Sequence, residues 1–196
     1  MEGSARLELH LSVPLNLVEF SKVLAKYGLW SAKVLPKEDG TYEILSMENL
    51  LIGYKPSEDL QSIAYKIYVT PDAKNIILFG DIDNFKDYVA ELISFLTEIN
   101  YSEDQIDMST LIANVPIENL NLNLGLLRTD FLGELIVNGL VATSEGKVIA
   151  VSPMGSYHLL TVTLSGEWRE VRPKVMVLQP LISEVVEVLR KWTSQK

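Results

Sequence analysis

Two aspartates are the first candidates for chemistry in this sequence. The stretch GDIDN, residues 80–84, places Asp81 and Asp83 directly after an apolar segment typical of a strand. Two converging carboxylates could hold Mg²⁺ and the phosphate group of a substrate, which would indicate a Mg-dependent phosphoryl-transfer enzyme. The same residues also suit a turn and the cap of a helix that begins at Phe85. Because a D-x-D pair without further context is a weak signal, the sequence favours the turn and cap, and we assign no metal site.

The chain contains two histidines, and neither belongs to a recognisable catalytic pattern. His10 lies on the polar side of an alternating segment, which indicates a surface residue. His158, in SYHLLTVTL, shares a face with Leu160, Val162 and Leu164. A histidine on an apolar face is usually a hydrogen-bonded core residue. The alternative is that His158 is a polar group in the wall of an apolar ligand pocket.

Several kinds of catalytic and metal site are excluded by what the sequence lacks. With no cysteine in the chain, disulfides, thiolate zinc sites and cysteine nucleophiles are impossible. The stretch SPMGS, residues 152–156, does not form the strand-turn-helix elbow of a serine hydrolase. There is no glycine-rich phosphate loop either. We therefore expect no cofactor, and the sequence favours a binding protein over an enzyme.

An aromatic and basic face is the best candidate for binding a partner. If Ser165 and Gly166 form a two-residue turn between strands, then Tyr157, Trp168 and Arg172 share the outer face of the resulting hairpin. These three residue types are enriched in protein-binding hot spots. The face predicts a protein partner, with a homodimer as the expected form. The alternative is that a helix of the same domain covers it.

Charge and composition limit the remaining partners. The chain has 17 basic and 26 acidic side chains, a net charge of -9, which disfavours nucleic acid. The one basic cluster, REVRPK at residues 169–174, is typical of a solvated edge strand. No apolar leader or membrane-length apolar stretch is present. We expect an acidic, soluble protein without a membrane segment, and the absence of cysteine fits a cytoplasmic location.

The elements that would position these residues are clearest in the first half of the chain. Residues 6–13 alternate apolar and polar side chains, as a half-buried strand does. A helix follows from Asn16, a capping residue, to Gly28, and another runs from about Asn84 to Ile99. Between the helices we predict four strands, at residues 41–46, 50–55, 63–70 and 75–80.

The second half repeats strands and helices less distinctly. Residues 107–114 indicate a weak strand, and residues 117–127 fit a strand or a helix. A final helix has Pro180 in its first turn and carries one apolar stripe. The stripe consists of Leu181, Val185, Val188 and Trp192. Before this helix we predict strands at residues 134–143, 147–152, 156–164 and 167–172, with a fifth candidate at 175–178.

A short sequence match suggests that the two halves are related. Val13-Pro14-Leu15 and Val115-Pro116-Ile117 stand at the same place in the two runs of elements. We therefore predict an α+β fold made of two tandem β-α-β4-α-like halves, forming a mostly antiparallel sheet packed against long helices. The halves are residues 1–100 and 101–196, read as a degenerate duplication that forms one continuous domain.

Three functions remain open at this point. The first is a non-enzymatic binding or assembly module that binds itself or another protein through Tyr157, Trp168 and Arg172. The second is a small apolar ligand-binding protein, with a pocket between curved sheet and helix and His158 at its wall. The third is the Mg-dependent enzyme that would use Asp81 and Asp83.

Overall fold

The computed structural model of the chain describes residues 2–30, 33–36, 42–46, 51–57, 60, 62–120, 122, 126–129, 133–136 and 139–194. The helices are α1 (Leu17–Lys26), α2 (Phe85–Glu98), α3 (Trp168–Met176) and α4 (Leu178–Ser194), with a 3-10 turn at Glu103–Gln105. The strands of the first half are β1 (Ser4–Leu11), β2 (Lys33–Pro36), β3 (Tyr42–Ser46), β4 (Leu51–Pro56), β5 (Ile63–Val69) and β6 (Asn75–Asp81). Those of the second half are β7 (Ile106–Ile117), β8 (Leu126–Thr129), β9 (Gly133–Ile136), β10 (Leu140–Ser144), β11 (Lys147–Met154) and β12 (Tyr157–Glu167).

Eight of these strands form one antiparallel sheet in the order β10-β11-β12-β7-β1-β6-β5-β4. The two strands that begin the halves, β1 and β7, lie side by side at its centre, where Leu7 is opposite Leu111. On the other side of β1, Leu7 is opposite Leu78 of β6. Two short hairpins, β2–β3 and β8–β9, stand outside this sheet. The predicted α+β fold with a mostly antiparallel sheet is confirmed, and the duplication itself stays a prediction.

The helices pack on one face of the sheet. Side chains of β1 alternate between buried and more exposed positions, as its sequence predicts. Its buried Leu7 and Leu9 belong to a single core cluster with Phe20 of α1, Phe95 of α2 and Ile182 of α4. In the described part of the chain, no helix has both the length and the apolar content that crossing a membrane requires.

Local signals account for the ends of α1. The side chain of Asn16 accepts a hydrogen bond from the Glu19 amide at 3.2 Å, which satisfies one of the free N–H groups of the first turn. Gly28 follows the last turn with φ of +75°, a left-handed conformation that glycine adopts without strain.

The predicted strand at residues 167–172 is wrong. β12 continues through Ser165 and Gly166 to Glu167, and Trp168 then begins α3. The buried residues of α3 are Trp168, Val171 and Val175. They stand three and four residues apart, which places them on one side of a helix. The candidate strand at residues 175–178 is also wrong, because α3 and α4 occupy it.

The element order of the second half is otherwise close to the prediction. Four predicted segments lie partly outside the described residues. They are the strands at 41–46, 50–55 and 134–143 and the ambiguous residues 117–127. β7 is longer than predicted and contains Val115-Pro116-Ile117, whereas Val13-Pro14-Leu15 follows the end of β1. The two Val-Pro steps therefore have different local surroundings.

Candidate functional site: an apolar groove beside the last helix

A groove of about 770 Å³ lies between α4 and the strands at one end of the sheet. We call it the apolar groove. Apart from two lysines and one glutamate, every residue that lines it is apolar. From the strands it is lined by Leu140, Val141, Ala142, Lys147, Ile149, Val162 and Leu164, and from the helices by Lys174, Leu181, Glu184, Val185, Val188, Leu189 and Trp192.

The floor of the apolar groove is the core-facing side of the sheet. Antiparallel pairing places Ala142 opposite Ile149, and Ile149 opposite Val162. Directly opposed residues point to the same face of a sheet. Val162 is only 2% exposed and belongs to the core, whereas Ile149 is half-buried and Ala142 is exposed. The core face of the sheet therefore becomes progressively uncovered toward β10.

The wall of the apolar groove is one side of α4. Leu181, Val185, Val188 and Trp192 form the stripe that the sequence predicts, at helical spacing. Ile182 of the same helix is fully buried and holds α4 against the core. The stripe beside it is open, since Val188 is 58% and Trp192 41% exposed. Apolar surface is therefore left uncovered on both the helix and the strands.

The charged residues of the apolar groove are Lys147, Lys174 and Glu184. Lys147 begins β11 and is opposite Leu164 of β12, which places it on the core-facing side of the sheet. Lys174 lies in the last turn of α3. Within the described part of the chain, neither lysine has a carboxylate oxygen within 4 Å of its ammonium group.

The Asp81 carboxylate serves the turn before α2. One of its oxygens accepts hydrogen bonds from the backbone amide and the side-chain amide of Asn84, at 2.9 and 3.0 Å. The other accepts from the Tyr88 hydroxyl at 2.7 Å. Burial by itself would raise the pKa of Asp81, but the hydrogen bonds from Tyr88 and Asn84 outweigh it and hold this pKa below its ordinary value.

The Asp83 carboxylate has a different hydrogen-bond partner from that of Asp81. One of its carboxylate oxygens accepts a hydrogen bond from the side chain of Gln179 in α4, at 3.0 Å. Among the described residues, no group of three or more histidine, aspartate and glutamate side chains is arranged to hold a metal ion. The hydrogen bonds of Asp81 fit the interpretation of GDIDN as a turn that leads into the helix.

Trp168 is not on an exposed face. It is 4% exposed, and its indole N–H donates a hydrogen bond to a carboxylate oxygen of Glu103 at 2.8 Å. The guanidinium of Arg172 lies 3.2 Å from the same oxygen. Tyr157 begins β12, ten residues before its end, so it lies about 33 Å away along the strand. The structure therefore does not place Tyr157, Trp168 and Arg172 on one face. The predicted hairpin with its turn at Ser165 and Gly166 is wrong.

A role of Tyr157, Trp168 and Arg172 in binding a partner stays a prediction, but the common face that supported it is not formed.

His158 is half-buried, opposite Pro153 and Ile117. It does not line the apolar groove, so its role in a ligand pocket is also untested. The sequence did contain one signal for the groove, the α4 stripe. It did not indicate that the sheet would leave that stripe partly uncovered.

A second cleft, of about 870 Å³, lies next to Asp81 at the other end of the sheet. It is rich in tyrosine and small polar residues, and two of its tyrosine rings pack against each other. Tyr65 and Tyr88 have ring centres 4.7 Å apart. The Tyr65 hydroxyl is buried, and burial, together with the nearby Glu91 carboxylate, raises the pKa of Tyr65 above its ordinary value.

Comparison with known proteins does not assign the chain to a group: no protein-family model matches this sequence, and no curated relative was found.

Proposed function

We propose that this chain is a non-enzymatic binding module that holds a small apolar ligand in the apolar groove. The observation that carries the proposal is the uncovered apolar surface on both sides of the groove. Val188 and Trp192 on α4, and Ala142 on β10, remain exposed beside the buried core residues Val162 and Ile182. Exposed apolar surface costs free energy in water, and a ligand that covers it recovers about 25 cal/mol per Å².

The size and chemistry of the groove support this proposal. Ligand sites for small molecules have volumes of roughly 300–1,000 Å³ and are lined mainly by apolar side chains with a few polar groups. The apolar groove has a volume of about 770 Å³ and three charged residues. The hydrogen bonds of Asp81 favour this proposal over a magnesium enzyme that uses Asp81, because both of its oxygens already accept hydrogen bonds from Asn84 or Tyr88.

An apolar fluorescent probe, 1-anilinonaphthalene-8-sulfonate, tests the proposal. We expect saturable binding with one probe per chain. Ala142→Trp should fill the floor of the groove and weaken binding at least about tenfold, a loss of ~1.4 kcal/mol.

Thr143→Trp is the matched control. Thr143 is exposed on the same strand, but neighbouring residues of a strand point to opposite faces, so its side chain lies away from the groove floor. Equal effects of the two tryptophans, or binding that does not saturate, would argue against a ligand site in the groove.

A second candidate function is self-association as a homodimer through β10. This strand ends the sheet, and in the described structure no further strand pairs with its outer edge. Val141, the second residue of this strand, is 69% exposed. An uncovered edge strand is a template for pairing with another copy.

Sedimentation tests this candidate. We expect a dimer at tens of micromolar, and a monomer after Val141→Lys, because lysine on an edge strand opposes pairing. A wild-type monomer at these concentrations would rule the dimer out.

The tandem-half arrangement is also part of this proposal. Counted outward from the centre, the sheet order is β1-β6-β5-β4 on one side and β7-β12-β11-β10 on the other. The same order in residues 1–100 and 101–196 supports a duplication. A cytoplasmic location stays a prediction.

A further inference from the structure

We infer that the ligand of the apolar groove is a single-chain amphiphile with an anionic head group, such as a free long-chain carboxylate. Its chain lies along α4, and its head group lies at Lys147 and Lys174. This inference rests on the proposed function and adds the chemical class of the ligand.

The shape of the wall fits an extended alkyl chain. The groove follows α4 from Leu181 to Trp192. A helix rises about 1.5 Å per residue, so this stretch is about 16 Å long. It is lined by Leu181, Val185 and Val188 on the helix and faces Ile149 and Val162 of the sheet. A narrow apolar ligand of this length would cover all of these side chains, whereas a compact ligand would leave part of the stripe in water.

The charges fit an anionic head group. Lys147 and Lys174 come from different elements, yet both line the groove, and neither is neutralised by a described carboxylate. Glu184 is the only acidic residue among the described residues that line the groove, so the groove has a net charge of +1. The whole chain, in contrast, has a net charge of -9. A cation next to a desolvated apolar surface complements a carboxylate, because hydrogen bonds between charged partners are stronger than those between neutral ones. A cationic head group would instead meet two lysines.

We commit to a free amphiphile rather than to a membrane surface. The apolar residues lie in a concave groove between α4 and the strands, and membrane-binding surfaces instead present an apolar helical face outward. A free molecule can lie inside such a groove along its whole length.

Isothermal titration with three twelve-carbon probes, each below its micelle concentration or its solubility limit, tests the inference. The probes are dodecanoate, dodecanol and dodecyltrimethylammonium, which share one chain and differ in head-group charge. We expect dodecanoate to bind at least about tenfold more tightly than the other two, a difference of ~1.4 kcal/mol. Lys147→Gln/Lys174→Gln should remove this preference by lowering the affinity for dodecanoate to about that for dodecanol.

Lys74→Gln/Lys86→Gln is the matched control. Both of its lysines are exposed and lie outside the groove, and the double substitution changes the net charge by the same amount. Its dodecanoate affinity should stay within about twofold of wild type, which is less than ~0.5 kcal/mol. Circular dichroism of each variant checks that the fold is retained.

The outcomes separate the two proposals. If dodecanol binds as well as dodecanoate and Ala142→Trp blocks both, the groove is a ligand site but the anionic head group is wrong. If none of the probes binds, the proposed function fails as well. Dodecanoate binding that survives Ala142→Trp, or binding to phosphatidylglycerol vesicles without binding to free dodecanoate, would also overturn the inference.

Discussion

At the scale of single residues, the surroundings of Trp168 give it a different role from the one that its residue type predicts. Tryptophan, tyrosine and arginine are typical of binding surfaces, but Trp168 is buried at the start of α3 and its N–H is satisfied by Glu103. A buried indole with a hydrogen-bond partner stabilises the fold. The residue type alone does not distinguish these two uses.

Trp168→Ala should therefore reduce the free energy of unfolding by about 3–5 kcal/mol, because a large buried side chain is lost and a cavity remains. Trp168→Phe should cost less, since most of the apolar volume is kept. Urea unfolding followed by circular dichroism measures both. Trp192→Ala is the control, because Trp192 is 41% exposed and its loss leaves no comparable cavity. Similar losses for Trp168→Ala and Trp192→Ala would contradict the buried role of Trp168.

Asp81 gives a prediction about pH. Its pKa in the folded protein lies below the ordinary value of 3.8, so the ionised carboxylate stabilises the fold. This stabilisation is fully present above the unfolded-state pKa and is lost as pH falls through the lower folded-state pKa. Asp81→Asn should cost about 1–3 kcal/mol at pH 6, as expected for hydrogen bonds to a charged group, and this difference should shrink below pH 4.

Urea unfolding between pH 2.5 and 6 measures that difference. The control is Asp107→Asn, since Asp107 is exposed at the start of β7. A stability difference between wild type and Asp81→Asn that stays constant down to pH 2.5 would show that the carboxylate charge does not matter at this turn.

At the scale of elements, two glycine turns shape the strands that form the groove floor. Gly146 joins β10 to β11 with φ of +63°, and Gly155 joins β11 to β12 with φ of +70°. Each of these glycines lies between two strands that the sequence predicts. The predicted two-residue turn at Ser165 and Gly166 is not formed, because Ser165 is paired with Thr110 and Gly166 with Ser109 inside the sheet.

The two glycines differ in the space around them. A β-carbon on Gly155 would meet no atom within 4 Å, whereas one on Gly146 would overlap the Ser165 carbonyl oxygen. Gly155→Ala should cost about 1–2 kcal/mol, for the left-handed backbone alone. Gly146→Ala should cost distinctly more, because the overlap also disturbs the hydrogen bond from the Ser165 amide to the Gly146 carbonyl. Thermal unfolding of the two variants measures the difference, and equal midpoints would contradict this geometry.

At the scale of the whole molecule, the central pair β1–β7 joins the two halves. Leu7 of β1 and Leu111 of β7 are opposite each other and belong to one core cluster. A shared core and a shared sheet predict that the halves unfold together, in one cooperative transition.

Single-tryptophan variants test this cooperativity. Trp30, whose backbone pairs with Tyr54, reports on the first half, and Trp168 reports on the second. The remaining tryptophans are replaced by phenylalanine in each variant. After normalisation for the stability of each variant, fluorescence and circular dichroism should give coincident urea transitions, and Leu7→Ala should shift both halves by about 2–5 kcal/mol. Two separate transitions, or a Leu7→Ala shift confined to Trp30, would show independent halves.

Much of the local structure followed from patterns within ten to fifteen residues. The alternation in β1, the apolar stripe of α2 and the cap at Asn16 predict their elements correctly, because a buried side must recur with the period of the backbone. The sequence predicts a strand at Trp168 because a short segment that follows an alternating run has too few turns to reveal helical spacing. The period becomes visible only when Val171 and Val175 are known to be buried with it.

Three features depend on residues far apart in the sequence, and only the tertiary structure decided them. The pairing of β1 with β7 joins residues about a hundred positions apart, for which a single sequence contains no signal. The hydrogen-bond partner of the buried Trp168 indole is Glu103, 65 positions before it. The apolar groove exists because Ile182 holds α4 against the core while the predicted apolar stripe beside it is left partly in water. Periodicity shows which side of an element is apolar, but what covers that side is determined by the packing of distant elements.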